Sequence, residues 1–518
     1  MFMKFSSLSM ALLGLSLPVL ATPKLFEMGL DTALSRVQDA IATIENDHEC
    51  KTQFESLNQV FYNFDSNTIE LQNLSITQME EYTKSSFNLR IRIKEALERK
   101  QSSQPFACLT PLKDTVKALR YLEDYLIEYS YKKSGKIDSE FETLNGEGIH
   151  FLVNPSETFQ SYENLESGDV LISRGNAFSS AAIARIGEDD YQFSHMTLIY
   201  KDEIGDLHTS EAHIEIGSVV APFQIHLDQK NVRTVVFKAK DRALSERAGE
   251  FTYNYIKDFK ARRGFNIEYD FGMDYSDRVR LFCSEVVFLG YLEASRELYG
   301  QDLELPLYKT KFDRGLLSFL QTVGIAVNEQ NIESFRTFGP GDIQFDPRFD
   351  LVAEWRNPQK LQDSRFKDAI LTKIFEWMSE ENYEFKTPLM DRVTNVFGWM
   401  MRRNSWTSSL MGLDEKFPLN MRVRQMNIFI NLDRVGDTLY KKLEEVQSQS
   451  QTPLTFKELY AILDEYKSQD QALYNQYLED KDYNSRMRRH SRRGPRRISR
   501  PLNLRDLTKP DFHLGFHP

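Results

Sequence analysis

Cysteine is scarce: the 518 residues hold only Cys50, Cys108 and Cys283. That rules out the dense disulfide framework of a small secreted scaffold. His208, His213 and His226 lack the paired spacing of a zinc motif, and no helix carries two of them four residues apart, so the sequence predicts neither a metal nor any other cofactor. The scattered glycines, Gly264 and Gly272 among them, do not compose a phosphate-cradling loop, and the serine-hydrolase elbow and Walker signatures are missing. Basic residues do not dominate, and the net charge of −11 disfavours nucleic acid as a partner. Beyond the first two dozen residues no apolar run is long enough to span a bilayer.

That first stretch is itself informative. Met1-Phe2-Met3-Lys4 precedes an apolar run from Met10 to Leu20 and then Ala21-Thr22-Pro23, the pattern of a cleavable secretory signal over residues 1–21. No cysteine sits at the cleavage region, so a lipid-modified N-terminus is not expected, and a periplasmic or secreted location is. In an oxidising compartment three cysteines leave at least one thiol unpaired. Cys50 and Cys108 both lie in polar or turn-like settings of one helix-rich region and are expected to pair, leaving Cys283 free.

At 41% hydrophobic content and this length, two to four domains are expected. Residues 22–149 read as a helical domain, with Leu119, Leu122, Leu126 and Tyr129 at three- and four-residue spacing, and the polar, glycine-containing stretch 134–148 reads as a connection. Residues 150–355 change to strand period: Asp169 to Ser173, Phe193 to Tyr200, Leu207 to Ile214, Ser218 to Ile225 and Thr234 to Lys238. A short helix over Ala177 to Ile186 interrupts them, a helix carrying Leu244, Ala248, Phe251 and Tyr255 follows, and Asp342 to Trp355 adds a strand or edge. Residues 356–480 are again helical, the Met- and Trp-rich stretch Val396 to Met411 reading as helical core. The arginine-rich residues within 481–518 read as a disordered tail, with contact to an anionic surface as the alternative.

One segment carries chemistry. In Leu281-Phe282-Cys283-Ser284-Glu285-Val286-Val287 a cysteine stands where a polar loop gives way to an apolar helix, so its thiolate lies at the positive end of the helix dipole. Glu285 suits the first helical turn. A nucleophilic thiolate needs a base and a group that orients the base. His195 opens an otherwise apolar strand, and Glu211 lies on the next strand, within cross-strand reach of ~5 Å. Glu215 and His213 share Glu211's strand face and stand as alternative third members, while a satisfied core histidine and a small buried cysteine are the plainer readings of His195 and Cys283.

The order Gly168-Asp169-Val170-Leu171-Ile172, Phe193-Ser194-His195-Met196-Thr197, Ser210-Glu211-Ala212 with Gly217 and Val219, Tyr269-Asp270 and Leu281-Phe282-Cys283-Ser284-Glu285 resembles the permuted papain-like amidases of the YiiX and YaeF type, in the NlpC clan of cell-wall peptidases. The resemblance covers about a quarter of the chain, from Glu166 to Leu298. It implies an α+β fold, a permuted papain-like core of antiparallel sheet and catalytic helix, flanked here by helical domains. It also implies Cys283 as nucleophile, His195 as base, Glu211 as orienting acid, and Tyr269 and Asp270 as substrate-side residues. The implied reaction is hydrolysis of an amide, in cell-wall peptide, with a lipid or N-acyl amide or ester as the alternative substrate. A non-catalytic scaffold on a degenerate core is the rival of a different class.

Overall fold

The computed structural model describes residues 29–64, 71–100, 106–135, 149–189, 192–229, 231–274, 278–386, 420–493 and 503–518. The signal-like stretch, most of the 134–148 connection and Val396 to Met411 lie outside the described residues. The fold mixes α and β, with an antiparallel sheet between flanking helices. Four helices come first: α1 (Leu30–Ile41), α2 (Asp47–Tyr62), α3 (Ile76–Lys100) and α4 (Leu109–Ser134). Their inward stripes, including Leu34, Val37, Phe54, Leu57, Leu112 and Leu119, form one buried cluster. Cys50 on α2 is disulfide-bonded to Cys108 at the start of α4.

Seven strands follow: β1 (His150–Val153), β2 (Val170–Arg174), β3 (His195–Lys201), β4 (Leu207–His213), β5 (Gly217–Pro222), β6 (Arg233–Ala239) and β7 (Phe349–Arg356). Their order is β1-β7-β6-β2-β3-β4-β5, with every neighbouring pair antiparallel. The central strands β2, β3 and β6 are apolar on both faces, as strands covered on both sides must be. On one face, Val170, Ile172, Met196, Leu198, Val235 and Phe237 meet Leu244 and Ala248 of α7 (Arg242–Arg263) and Val287, Tyr291 and Ala294 of α8 (Cys283–Tyr299). On the other, Leu171, Ile199 and Val236 pack with Phe223 of a short helix, α6 (Phe223–Asp228); the earlier α5 spans Phe178–Ile183. Asp241 caps α7 by accepting from the Leu244 amide at 3.1 Å. Close packing of α7 and α8 depends on Gly290, whose Cβ would lie 2.2 Å from the Thr252 hydroxyl and 2.9 Å from the Ala248 carbonyl.

The rest of the chain supplies α9 (Leu317–Val323), α10 (Leu361–Glu381), α11 (Val423–Gln447) and α12 (Phe456–Arg493), with a small pair of strands, β8 (Glu384–Phe385) and β9 (Phe516–His517). The expectation of a disordered tail over 481–518 is corrected for its described residues, 481–493 and 503–518. The α12 backbone runs on to Arg493, and residues 503–518 return to the helical core. Phe512 and Phe516 are buried there against Trp377 and Tyr383, and His513 donates or accepts at both Asp470 (2.7 Å) and Tyr383 (3.0 Å). The arginine-rich composition of 486–505 concealed this, because the apolar anchors come after it.

The expected boundary near 355 also falls inside a buried charge network rather than at a gap in packing. Arg174, Arg233 and Arg356 face one another across β2, β6 and β7, and none is solvent-exposed. Like charges directly opposed destabilise a sheet unless countered. Asp368 of α10 accepts from Arg174 and Arg185, each at 2.8 Å, and Asp124 of α4 pairs with Arg356 at 2.7 Å and Arg233 at 3.0 Å. Glu123 and Glu354 pair with Arg90 and Arg356. Helices from both flanks are thereby tied to the same end of the sheet at which β3 begins.

Candidate functional site

Cys283 is the first residue of α8 and is buried. The preceding backbone is fixed by a capping contact in which Glu285 Oε2 accepts from the Phe282 amide at 3.3 Å. It is fixed again by a parallel bridge between Tyr269 and Leu281. Burial alone would raise the thiol's pKa. Hydrogen bonding to His195, the imidazolium charge, the Met196 amide and the Ser284 hydroxyl outweigh it and hold Cys283 below the ordinary thiol range.

His195 opens β3, and its Nε2 lies 2.8 Å from Glu211 Oε2 on β4. Burial opposes a charge on this ring, but the hydrogen bonds to Cys283 and Glu211, and their negative charges, push its pKa up to about 10. Glu211 is buried and, despite the desolvation that would raise it, is held well below the usual carboxylate range by the histidines around it. Thiol lowered, imidazole raised and carboxylate lowered are shifts that all favour a thiolate–imidazolium–carboxylate row. The structure therefore brings Cys283, His195 and Glu211 together from three elements.

The expected cross-strand reach of Glu211 to His195 is met, but not by direct opposition. Thr197 is the residue opposite Glu211, and continuing the ladder sets His195 against His213, whose rings stack at 5.0 Å between centroids. Glu211 reaches His195 diagonally. Of the two alternative third members, His213 lies 3.4 Å from Glu211 Oε2 and Glu215 is exposed in the following turn. Thr197 and Thr209 donate to Glu211 Oε2 and Oε1 at 3.2 and 2.9 Å, and His226 of α6 approaches Oε2 through Nδ1 at 3.5 Å. Sequence reasoning missed these supports. The Thr197 and Thr209 contacts were readable in principle, since each sits two residues from His195 or Glu211 on the same strand face.

Tyr269 is buried beside the nucleophile, and its phenol is held well above the ordinary range, first by burial and then by the negative charge of Cys283 and Asp270. Asp270 turns into its own loop, where its carboxylate accepts from the Gly272 and Asp274 amides at 2.8 and 3.2 Å. Both contacts are with the polypeptide that leads to Cys283. Gly217, with φ +74°, lets Ser218 donate to Ile267 at 2.8 Å, which ties the β4–β5 hairpin to that same loop.

The expectation of no metal site rested on linear spacing. The fold brings His195, Glu211 and His213 together so that one ligand atom from each lies within 4.8 Å of the others. That convergence depends on strand register, which spacing along the chain does not report. Among the described residues no helix is long and apolar enough to cross a membrane. No family model, curated protein or solved structure matches this chain.

Proposed function

We propose that the chain is an exported cysteine hydrolase with a permuted papain-like core, cleaving an amide bond in cell-wall peptide through an acyl-enzyme. The observation that carries this reading is the convergence of Cys283 at a helix N-terminus with a His195–Glu211 pair. The Cys283 thiolate attacks the carbonyl carbon, and His195 gives its proton to the departing amine. Water then adds to the thioester with His195 as base, releasing the acid and restoring the thiol. Glu211 orients His195 and stabilises its charged form throughout. First-turn amides of α8, which have no intrahelical acceptor, are the donors available to the developing oxyanion. Tyr269, kept protonated, supplies a further donor beside them. The apolar N-terminal run of the sequence supports export to where such peptide is found.

The test is digestion of purified peptidoglycan fragments and of N-acyl amides by the full chain, with acid quenching and intact-mass analysis. Wild type is expected to release new amino groups from peptide and to carry a transient acyl adduct on Cys283. Cys283→Ala is expected to do neither while keeping its thermal midpoint. Adducts from N-acyl amides alone would move the substrate to lipid-like acyl groups. Equal hydrolysis by Cys283→Ala would overturn the reading.

A further inference from the structure

The geometry points to a divalent transition-metal site, best suited to zinc, formed by His195, Glu211 and His213, whose occupation switches the proposed hydrolase off. The regulatory half of this inference rests on the proposed thiol chemistry; the binding half does not. His195 Nε2 and His213 Nε2 lie 2.8 and 3.4 Å from the same oxygen, Glu211 Oε2. Zinc–donor bonds of ~2.0–2.2 Å set tetrahedral donors ~3.4 Å apart, so modest rotation of the two rings closes the set. Two imidazoles and a carboxylate are the donors zinc prefers over magnesium or calcium, which take oxygen.

The surroundings favour the same conclusion. Thr209 holds Glu211 Oε1 at 2.9 Å, which leaves Oε2 turned toward the histidines, and Thr197 fixes that oxygen at 3.2 Å. Such outer hydrogen bonds orient a ligand carboxylate. His226 Nδ1 is a further nitrogen at 3.5 Å from Oε2. The His195 and His213 side chains are 16% and 22% exposed, which gives an ion a way in, while Glu211 is 1% exposed.

Occupation would stop turnover for a definite reason. His195 presents Nε2 to Glu211 and so faces Cys283 with its other nitrogen. Once Nε2 is coordinated, giving up the proton on Nδ1 would make the ring an imidazolate. His195 then cannot protonate a departing amine, and the acyl-enzyme does not form. His213 takes no part in the proton transfers, so its removal separates metal sensitivity from catalysis.

Isothermal titration of zinc chloride into full-length Cys283→Ala protein, freed of metal beforehand, tests the site without reliance on the thiol. One equivalent is expected to bind, with affinity at least tenfold lower when His213→Gln or Glu211→Gln is added. His208→Ala is expected to leave it unchanged, because His208 pairs with Asp202 at the far end of the hairpin. No saturable binding, or binding indifferent to both His213→Gln and Glu211→Gln in variants of unchanged thermal midpoint, would overturn the inference. In the active protein, zinc is expected to stop hydrolysis, a chelator to restore it and His213→Gln to resist it. Inhibition of equal potency in wild type and His213→Gln would overturn the switch.

Discussion

Asp368→Asn isolates the charge network that fixes the end of the sheet at which β3 begins. Asp368 is fully buried on α10 and accepts from Arg174 and Arg185 at 2.8 Å each, with Arg233 at 3.7 Å. Burial pushes its carboxyl up, but the charges of Arg185, Arg174 and Arg233 outweigh this and bring it from 3.8 down to about 2. That gap corresponds to ~2.5 kcal/mol. Breaking a buried ion pair from one side costs ~3–5 kcal/mol, because the partner charges stay buried. Asparagine keeps the size and one acceptor, so a loss of about 3 kcal/mol at pH 7 is expected. The folded pKa lies below the unfolded one, so the stabilisation is complete above about pH 4 and is lost as pH falls toward 2. Urea unfolding of wild type and variant from pH 7 down to pH 3 should show a gap that is widest at neutral pH and narrows below pH 4. A gap under ~1 kcal/mol at pH 7, or one constant down to pH 3, would refute the reasoning.

Cys108→Ser opens a loop of sequence separation 58 between Cys50 and Cys108, and the chain-entropy relation puts the loss at ~4 kcal/mol, measurable by urea unfolding with and without reductant. Gly217→Ala places a Cβ 2.1 Å from the Ile267 carbonyl at φ +74°; a loss of at least ~2 kcal/mol is expected in thermal melts, with slower Cys283 alkylation as the hairpin carrying Glu211 shifts. Glu211→Gln removes a charge-assisted hydrogen bond of ~1.5–3 kcal/mol, so the His195 pKa should fall from about 10 by about one to two pH units, followed by NMR of the imidazole; an unchanged His195 titration would contradict this.

The strands from Val170 to Ala239 and the helix beginning at Cys283 were legible because hydrophobic period and local setting are written along the chain. Cys283 and His195 stood out because one begins an apolar helix and the other opens an apolar strand, and Glu211 was added by cross-strand reach and by the resemblance; the structure brings the three side chains together. What escaped is set by register and by distant partners. The nearness of His213 and His226 to Glu211 depends on which residues of β3, β4 and α6 face one another. Arg174, Arg233 and Arg356 sit at strand ends, where arginine reads as exposed; the acids on α4, α10 and β7 that allow their burial lie up to 233 residues away. The return of Phe512 and Phe516 to Trp377 was hidden in the same way.

In the proposed mechanism Cys283 is a thiolate held by His195. Iodoacetamide labelling across pH 5 to 10, with mass spectrometry at each cysteine for wild type and His195→Ala, tests it most directly. Cys50 and Cys108, being disulfide-bonded, should stay unlabelled without reductant. Wild-type Cys283 is predicted to react with an apparent pKa below the free-thiol value of ~8.5 and to move above it in His195→Ala. A Cys283 that is inert at every pH, or whose profile is the same in both proteins, would contradict the claim.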